Sequence, residues 1–241
     1  MLFLKKLINK FPILNEYQKK IRLKIGLKFI KNPEELVDIH FKFASRQGFQ
    51  NIDLFKQIFK HSNSRPMNIF ETGSSAYWGA NSSLLFDNYV KRYGGQFITV
   101  DIRKNANEFL NKNFSQFSKS YVGDSLNFIK KLNKKFLEKL DIVYLDSFDL
   151  DVNNPQPSME HTLKEFIELD KHLSVGCLVA IDDTPNEKAF KKYLISELKS
   201  KNNTSNFKTI PGKGALILTH KTIKKYRLIY QYYGVLLKKI K

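Results

Sequence analysis

Acidic residues close five successive short apolar runs, and the segments that follow are rich in hydroxyls and glycine. Residues 67–70 lead into Glu71-Thr72-Gly73-Ser74-Ser75, residues 96–100 into Asp101, and residues 120–122 into Gly123-Asp124-Ser125. Residues 142–145 lead into Asp146, and residues 178–181 into Asp182-Asp183. A glycine directly after a strand lets the backbone turn tightly against a ligand, where N–H groups and the Ser74 and Ser75 hydroxyls can hold its polar atoms. Asp101 stands 28 residues beyond Gly73, a spacing at which a carboxylate accepts hydrogen bonds from adjacent ribose hydroxyls. Asp124 or Ser125 is then placed to meet an adenine amino group.

The fourth and fifth ends carry a different chemistry. Neighbouring parallel strands end about 5 Å apart, so Asp146 and the Asp182-Asp183 pair can converge on one point. Three carboxylates there repel one another unless a divalent cation or a cationic side chain neutralises them. The plainer reading is that such aspartates cap helices or shape loops. Asp146-Ser-Phe-Asp149-Leu-Asp151 is followed by Pro155-Gln-Pro157-Ser-Met-Glu-His161, which puts His161 near a helix start above the same edge. It is either a general base, with an ordinary pKa near 6.5, or a capping or surface histidine. Tyr77 and Trp78 border the first loop as covers for a ligand or as packing residues.

These residues need a sheet to hold them. The apolar runs predict seven strands, at 67–70, 96–100, 120–122, 142–145, 178–181, 207–210 and 215–219, the last two joined by Pro211-Gly-Lys-Gly214 as a hairpin. Helical stretches at 81–91, 106–111, 125–139 and 157–171 alternate with the first five. The alternation predicts an α/β fold: a Rossmann-like, mostly parallel seven-stranded sheet with an antiparallel terminal hairpin, helices on both faces, and extra N- and C-terminal helices. Residues 1–64 read as a basic helical preface that Pro12 divides, with Asn32 capping a helix that opens at Pro33-Glu34-Glu35. Residues 65–220 form the catalytic domain. In 221–241 an apolar stripe of Ile223, Tyr226, Ile229, Tyr233, Leu236 and Ile240 reads as a basic amphipathic helix.

The formal charge is +18 over 241 residues, and it is uneven. Nine Lys/Arg face Glu16 alone in residues 1–31, seven face no acid in 221–241, and the middle carries only +3. A basic fringe on a nearly neutral body suits contact of the ends with an anionic surface, or merely solvated helix faces. One cysteine, Cys177, excludes an intramolecular disulfide and a cysteine-based zinc cluster. No apolar run of 18 residues occurs and the N-terminus lacks a signal-peptide pattern, so the expected location is cytoplasmic, with the basic ends compatible with the inner membrane face.

In order and spacing, Glu71-Thr72-Gly73-Ser74-Ser75, Asp101, Asp124-Ser125 and Asp146 resemble class I S-adenosylmethionine-dependent methyltransferases across about residues 65–220. The aspartates at 146, 182 and 183 resemble those of the metal-assisted branch that methylates sugar and natural-product hydroxyls. The resemblance implies S-adenosylmethionine held by Glu71, Thr72, Gly73, Ser74, Ser75, Asp101, Asp124 and Ser125. It implies Mg2+ or another divalent cation on Asp146, Asp182 and Asp183, with Asp146 and His161 catalytic. Ser75 and Tyr77 stand where glycines are common in the family. The stretch from Asp146-Ser-Phe-Asp149-Leu-Asp151 to Pro155-Gln-Pro157-Ser-Met-Glu-His161 resembles methyltransferases of polysaccharide and glycan assembly, which implies a small-molecule or lipid-linked glycan acceptor, and an Asn/Asp-Pro-Pro-aromatic motif for base methylation is missing at the fourth strand end. The terminal stripe is compatible with a homodimer. Two other functions stay open on the sequence: a basic nucleic-acid-binding protein or RNA methyltransferase, and an NAD(P)-dependent enzyme on a similar sheet.

Overall fold

The computed structural model describes residues 12–43, 49–74, 82–198 and 210–241. Helix α1 spans Pro12–Gly26, α2 Pro33–Phe43 and α3 Ile52–Lys60; strand β1 follows at Met67–Thr72. Asn32 and Glu35 satisfy the start of α2 reciprocally: Asn32 Oδ1 accepts from the Glu35 N–H at 2.9 Å, and Glu35 Oε2 from the Lys31 N–H at 2.7 Å. The arrangement is close to a capping box, with Glu35 reaching the N–H one residue before the cap, and Pro33 stands where an N–H would be unpaired anyway.

Helices and strands then alternate: α4 Ser82–Tyr93, β2 Gly95–Asp101, α5 Lys104–Asn113, β3 Ser118–Val122, α6 Ser125–Lys131, α7 Lys134–Leu137 and β4 Ile142–Leu145. After them come α8 Gln156–Asp170, β5 Leu178–Ile181, α9 Glu187–Tyr193, α10 Ala215–Thr219, β6 Tyr226–Gln231 and β7 Val235–Lys239. The sheet order is β3-β2-β1-β4-β5-β7-β6. The first five strands are parallel, and β7 runs antiparallel to both β5 and β6. The register aligns the ends that matter, with Thr72 opposite Leu145 and Leu145 opposite Ile181, so Asp146 and Asp182 emerge side by side.

Each sheet face has its own core. On one, Phe55 of α3 stacks on Tyr144 with ring centroids 5.3 Å apart, and Phe59 on Tyr89 at 4.7 Å. On the other, Phe70, Val143, Phe166 and Leu237 pack with Ile217. In the first of these cores α2 and α3 bury Leu36, Val37, Leu54 and Ile58.

The structure corrects the C-terminal third. Residues 215–219, expected as a strand, are α10, and Pro211–Gly214 is not a hairpin turn. The expected strand at 207–210 falls largely outside the described residues. The stripe in 221–241 is no amphipathic helix: after a short 3-10 turn at Lys221–Lys225 it forms the β6–β7 hairpin. A strand buried on both faces reads as a continuous apolar run, and β7 buries Val235, Leu236 and Leu237 in succession; such a run contains positions that fit a helical stripe as well. The sheet thus ends at Lys239, not near 220. The stripe docks on the body of its own chain, leaving nothing of it as a membrane or dimer helix.

Candidate active site

The turn after β1 exists because residue 73 is glycine. Its φ is +80°, and an added Cβ would stand 2.2 Å from the carbonyl oxygen of Asp146. The turn is tied to β2, with the Gly73 N–H donating to the Val100 carbonyl at 2.8 Å and the Ser74 N–H to Asp101 Oδ2 at 2.8 Å. Gly73, Asp101, Asp124, Ser125, Phe148 and His161 are among the residues lining a cavity of about 190 Å³ at this edge. Ser147 lines it too, and its Oγ is buried with no hydrogen-bond partner among the described residues. A backbone cradle that a Cβ would fill, beside an unpaired hydroxyl and a carboxylate, suits a polar ligand.

Asp101 is almost fully buried and already satisfied. Oδ1 accepts from the Arg103 N–H at 2.7 Å and Nε at 2.8 Å, and Oδ2 from Arg103 Nη2 at 2.7 Å in addition to Ser74. Burial works against its charge, but Arg103 outweighs that and the pKa lies below the usual range. The guanidinium also reaches the Ser74 carbonyl.

The other expected cofactor residues divide by role. Glu71 is fully buried and accepts from the Ser82 and Ser83 hydroxyls, each at 2.5 Å, so it ties the start of α4 to β1. Burial pushes its pKa up to about 7 against those two hydrogen bonds. The Thr72 hydroxyl donates to Glu165 Oε2 at 3.1 Å, away from the cavity. Asp124 caps α6, its Oδ1 accepting from the Asn127 N–H at 2.9 Å. Ser75, like Tyr77 and Trp78, lies outside the described residues.

His161 sits on α8 at the cavity wall. Its Nε2 lies 3.0 Å from Ser125 Oγ and 3.2 Å from Glu165 Oε1, and its ring is 5.6 Å from that of Phe148. Both polar contacts use one nitrogen, so this is not a Ser–His–Glu relay, which needs the two ring nitrogens to face opposite partners. The Glu165 hydrogen bond raises the imidazole pKa.

Asp146, Asp182 and Asp183 do come together: each offers a carboxylate oxygen, and the three lie within 4.8 Å of one another. Asp183 has a φ of +40°, a strained value for a non-glycine residue. Its N–H donates to Asp182 Oδ1 at 2.8 Å, as does Asn51 Nδ2 at 2.7 Å. Burial first, then the neighbouring carboxylates, raise the pKa of Asp182; burial likewise raises that of Asp146, with Lys213 pulling the other way. Tyr233 in the β6–β7 turn faces the group, its pKa raised by burial and then by Asp183.

Sequence reasoning missed Lys213, Arg103 and Asn51. Lys213 Nζ lies 2.5 Å from Asp146 Oδ1 and 3.2 Å from Asp183 Oδ2, with the side chain 1% exposed. Burial disfavours its charge, but the three aspartates outweigh that and push its pKa upward. The Gly-Lys-Gly context was the available signal, since paired glycines permit close backbone approach as readily as a hairpin. The donor set also fits a divalent cation: three carboxylates supply oxygen ligands, with a formal charge of −2 after Lys213 is counted.

No protein-family model matches the sequence, and no curated protein matches it. Solved structures do match the fold. One is MycE, a methyltransferase of the mycinamycin biosynthetic pathway, in complex with Mg, S-adenosylhomocysteine and mycinamycin VI: TM-score 0.56, 16% identity, 88% of this chain and 55% of that one. Another is the O-methyltransferase NovP: TM-score 0.50, 14% identity, 94% of this chain and 100% of that one. The chain spans about half the length of the MycE structure. The fold is Rossmann-like and is shared with these two methyltransferases.

Proposed function

We propose that this chain is an S-adenosylmethionine-dependent O-methyltransferase acting on a hydroxyl of a sugar or glycan. The observation that carries the proposal is the contact between two sites: the Gly73 turn of the cofactor cavity packs directly on the backbone of Asp146, whose side chain belongs to the carboxylate cluster. A methyl donor in the cavity and an acceptor hydroxyl at the cluster would meet across that contact. Support for the acceptor class comes from the two fold neighbours, one solved with magnesium and a natural product and the other named an O-methyltransferase.

Gly73 and the Ser147 hydroxyl bind the donor, the Ser74 hydroxyl being turned to Thr99 Oγ1 at 3.2 Å; Asp101 receives its ribose once Arg103 moves aside, and Ser125 and His161 form the adenine-side wall. Glu71 and Thr72 hold the β1 end rigid from behind. Asp146, Asp182 and Asp183 would hold a divalent cation and orient the acceptor oxygen. The base role goes to Asp146, which lies in the carboxylate cluster where the acceptor would sit, rather than to His161, which lines the donor cavity. The donor, when bound, supplies a sulfonium methyl that passes to the acceptor oxygen and leaves S-adenosylhomocysteine, while a cation would lower that hydroxyl's pKa. The antiparallel β7 inserted between β5 and β6 favours this over a dinucleotide enzyme, whose mostly parallel sheet runs in the order 3-2-1-4-5-6. No helix among the described residues is long and apolar enough to cross a membrane, and the basic N-terminus is left for contact with a lipid-linked acceptor's membrane.

The test is calorimetric binding of S-adenosylhomocysteine to wild type and Asp101→Ala, followed by turnover of Asp146→Ala and Asp182→Ala on nucleotide sugars and lipid-linked glycans. Micromolar binding lost in the first variant, with turnover lost in the other two, is the expected result. Absence of binding to wild type would end the methyltransferase proposal.

A further inference from the structure

Methyl transfer as outlined gives Lys213 no task, yet the fold delivers its ammonium into the acidic cluster with some care. The Lys213 N–H donates to the Asp183 carbonyl at 2.9 Å, and the Gly214 N–H to Thr184 Oγ1 at 2.9 Å. A Cβ on Gly212 would stand 2.8 Å from the Asp183 carbonyl oxygen, and one on Gly214 2.9 Å from Thr184 Oγ1. Both glycines are therefore what lets this segment lie against the loop that carries Asp183. From there the side chain runs buried until Nζ sits between Asp146 and Asp183.

A divalent ion bridging those two carboxylates at ordinary bond lengths of about 2.0–2.6 Å would take the same space. An ammonium and a divalent ion in that space would be like charges in contact, competing for the same carboxylate oxygens, so that one displaces the other. We propose that Lys213 is the resident cation of the carboxylate cluster, and that a divalent ion binds there only by displacing its ammonium from between Asp146 and Asp183. The inference rests on the cluster being the cation site of the proposed methyltransferase. Its consequence is a built-in threshold: without metal the lysine offsets part of the cluster's negative charge, and metal enters only when its concentration overcomes the lysine.

The experiment is Mn2+ titration by calorimetry of the full chain, metal-free, as wild type and Lys213→Met, with S-adenosylhomocysteine affinity measured on the same samples. Binding at least about tenfold tighter in the variant is expected, with the nucleoside affinity unchanged. A variant that folds only when Mn2+ is present supports the same conclusion, the ion then replacing the lost ammonium. Equal or weaker Mn2+ binding in a folded variant overturns the inference while leaving the cation site standing. A variant unfolded even in Mn2+ also overturns it, since the lysine is then purely structural. No Mn2+ binding to either protein overturns the cation site and the inference together, and retained nucleoside binding in that case would keep the methyltransferase reading.

Discussion

Gly73 and Asp146 touch backbone to backbone, so closely that a methyl group on residue 73 would overlap the Asp146 carbonyl at 2.2 Å. The cofactor turn and the first carboxylate of the cluster are thus one mechanical unit, further joined by the Asp146 N–H donating to the Thr72 carbonyl at 2.9 Å. Gly73→Ala must both adopt a φ of +80° and push these segments apart. Positive φ alone costs about 1–2 kcal/mol outside glycine, and the overlap adds to it. The expected result is a loss of about 2 kcal/mol or more by denaturant unfolding, with S-adenosylhomocysteine binding weakened at least about tenfold. Retention of both would show that the turn is not held as described.

Arg103 covers the carboxylate that a ribose would need. Its main-chain N–H and two guanidinium nitrogens take three of the four hydrogen bonds that Asp101 accepts. The side chain is half exposed, so solvent can receive it when it swings away, and the cost of displacement is modest. Arg103→Ala removes the competitor but leaves the backbone donors. Nucleoside affinity should rise by about threefold or more, read by calorimetry. A fall in affinity would show instead that the guanidinium helps to hold the ligand.

Glu71 makes stability depend on pH with a defined sign. Its folded pKa is raised from 4.5 to about 7, mainly by burial. Between these values the folded protein keeps a proton that the unfolded chain has released, so stability falls as pH rises through the window and the full penalty stands above it. The size is about 3 kcal/mol at most, from about 1.4 kcal/mol per pH unit. Glu71→Gln keeps a group able to bond Ser82 and Ser83 and abolishes the titration. Denaturant unfolding of both proteins at pH 4.5 and pH 8 should show wild type losing more stability by up to that amount. Parallel pH profiles would mean that Glu71 is ionised in the fold across the range.

The parallel half of the sheet was legible because β1, β2, β4 and β5 are compact apolar runs ending in polar turns, with helical spacing in the gaps; β3, Ser-Lys-Ser-Tyr-Val with one buried residue, was marked mainly by the Gly123-Asp124-Ser125 turn that closes it. The acidic cluster was legible for the same reason: strand order follows from the alternation, and it puts residues 146 and 182 side by side. Lys213 was not, because its place depends on how residues 210–214 lie across the loop after β5, a long-range contact with no local periodicity. The C-terminal hairpin was misread from real periodicity. Tyr226, Ile229, Tyr230, Tyr233, Leu236 and Leu237 satisfy a 3.6-residue repeat as well as they satisfy two strands. The deciding signals were weaker ones, namely Gly234 in the turn and the density of tyrosine and β-branched residues before it.

That hairpin is fastened by Asp170, at the end of α8. Its carboxylate accepts from the Tyr226 hydroxyl at 2.9 Å and Lys225 Nζ at 2.7 Å, and lies 3.0 Å from Lys239 Nζ. Lys239 Nζ also donates to the Asp170 carbonyl at 2.7 Å. Burial opposes the charge of Asp170, but the hydrogen bonds from Lys225, Lys239 and Tyr226 keep its pKa below the usual carboxylate range. With a depressed pKa the stabilisation is complete above the ordinary value near 4 and is lost as pH falls through the folded value. Asp170→Asn leaves Lys239, itself almost wholly buried, facing a neutral amide. Removing one partner of a buried ion pair costs about 3 kcal/mol. The variant should unfold at lower denaturant by about that amount at pH 7, with the gap to wild type narrowing toward pH 3, while nucleoside affinity in the folded fraction stays unchanged. A gap of the same size at both pH values would place the effect in packing rather than in charge.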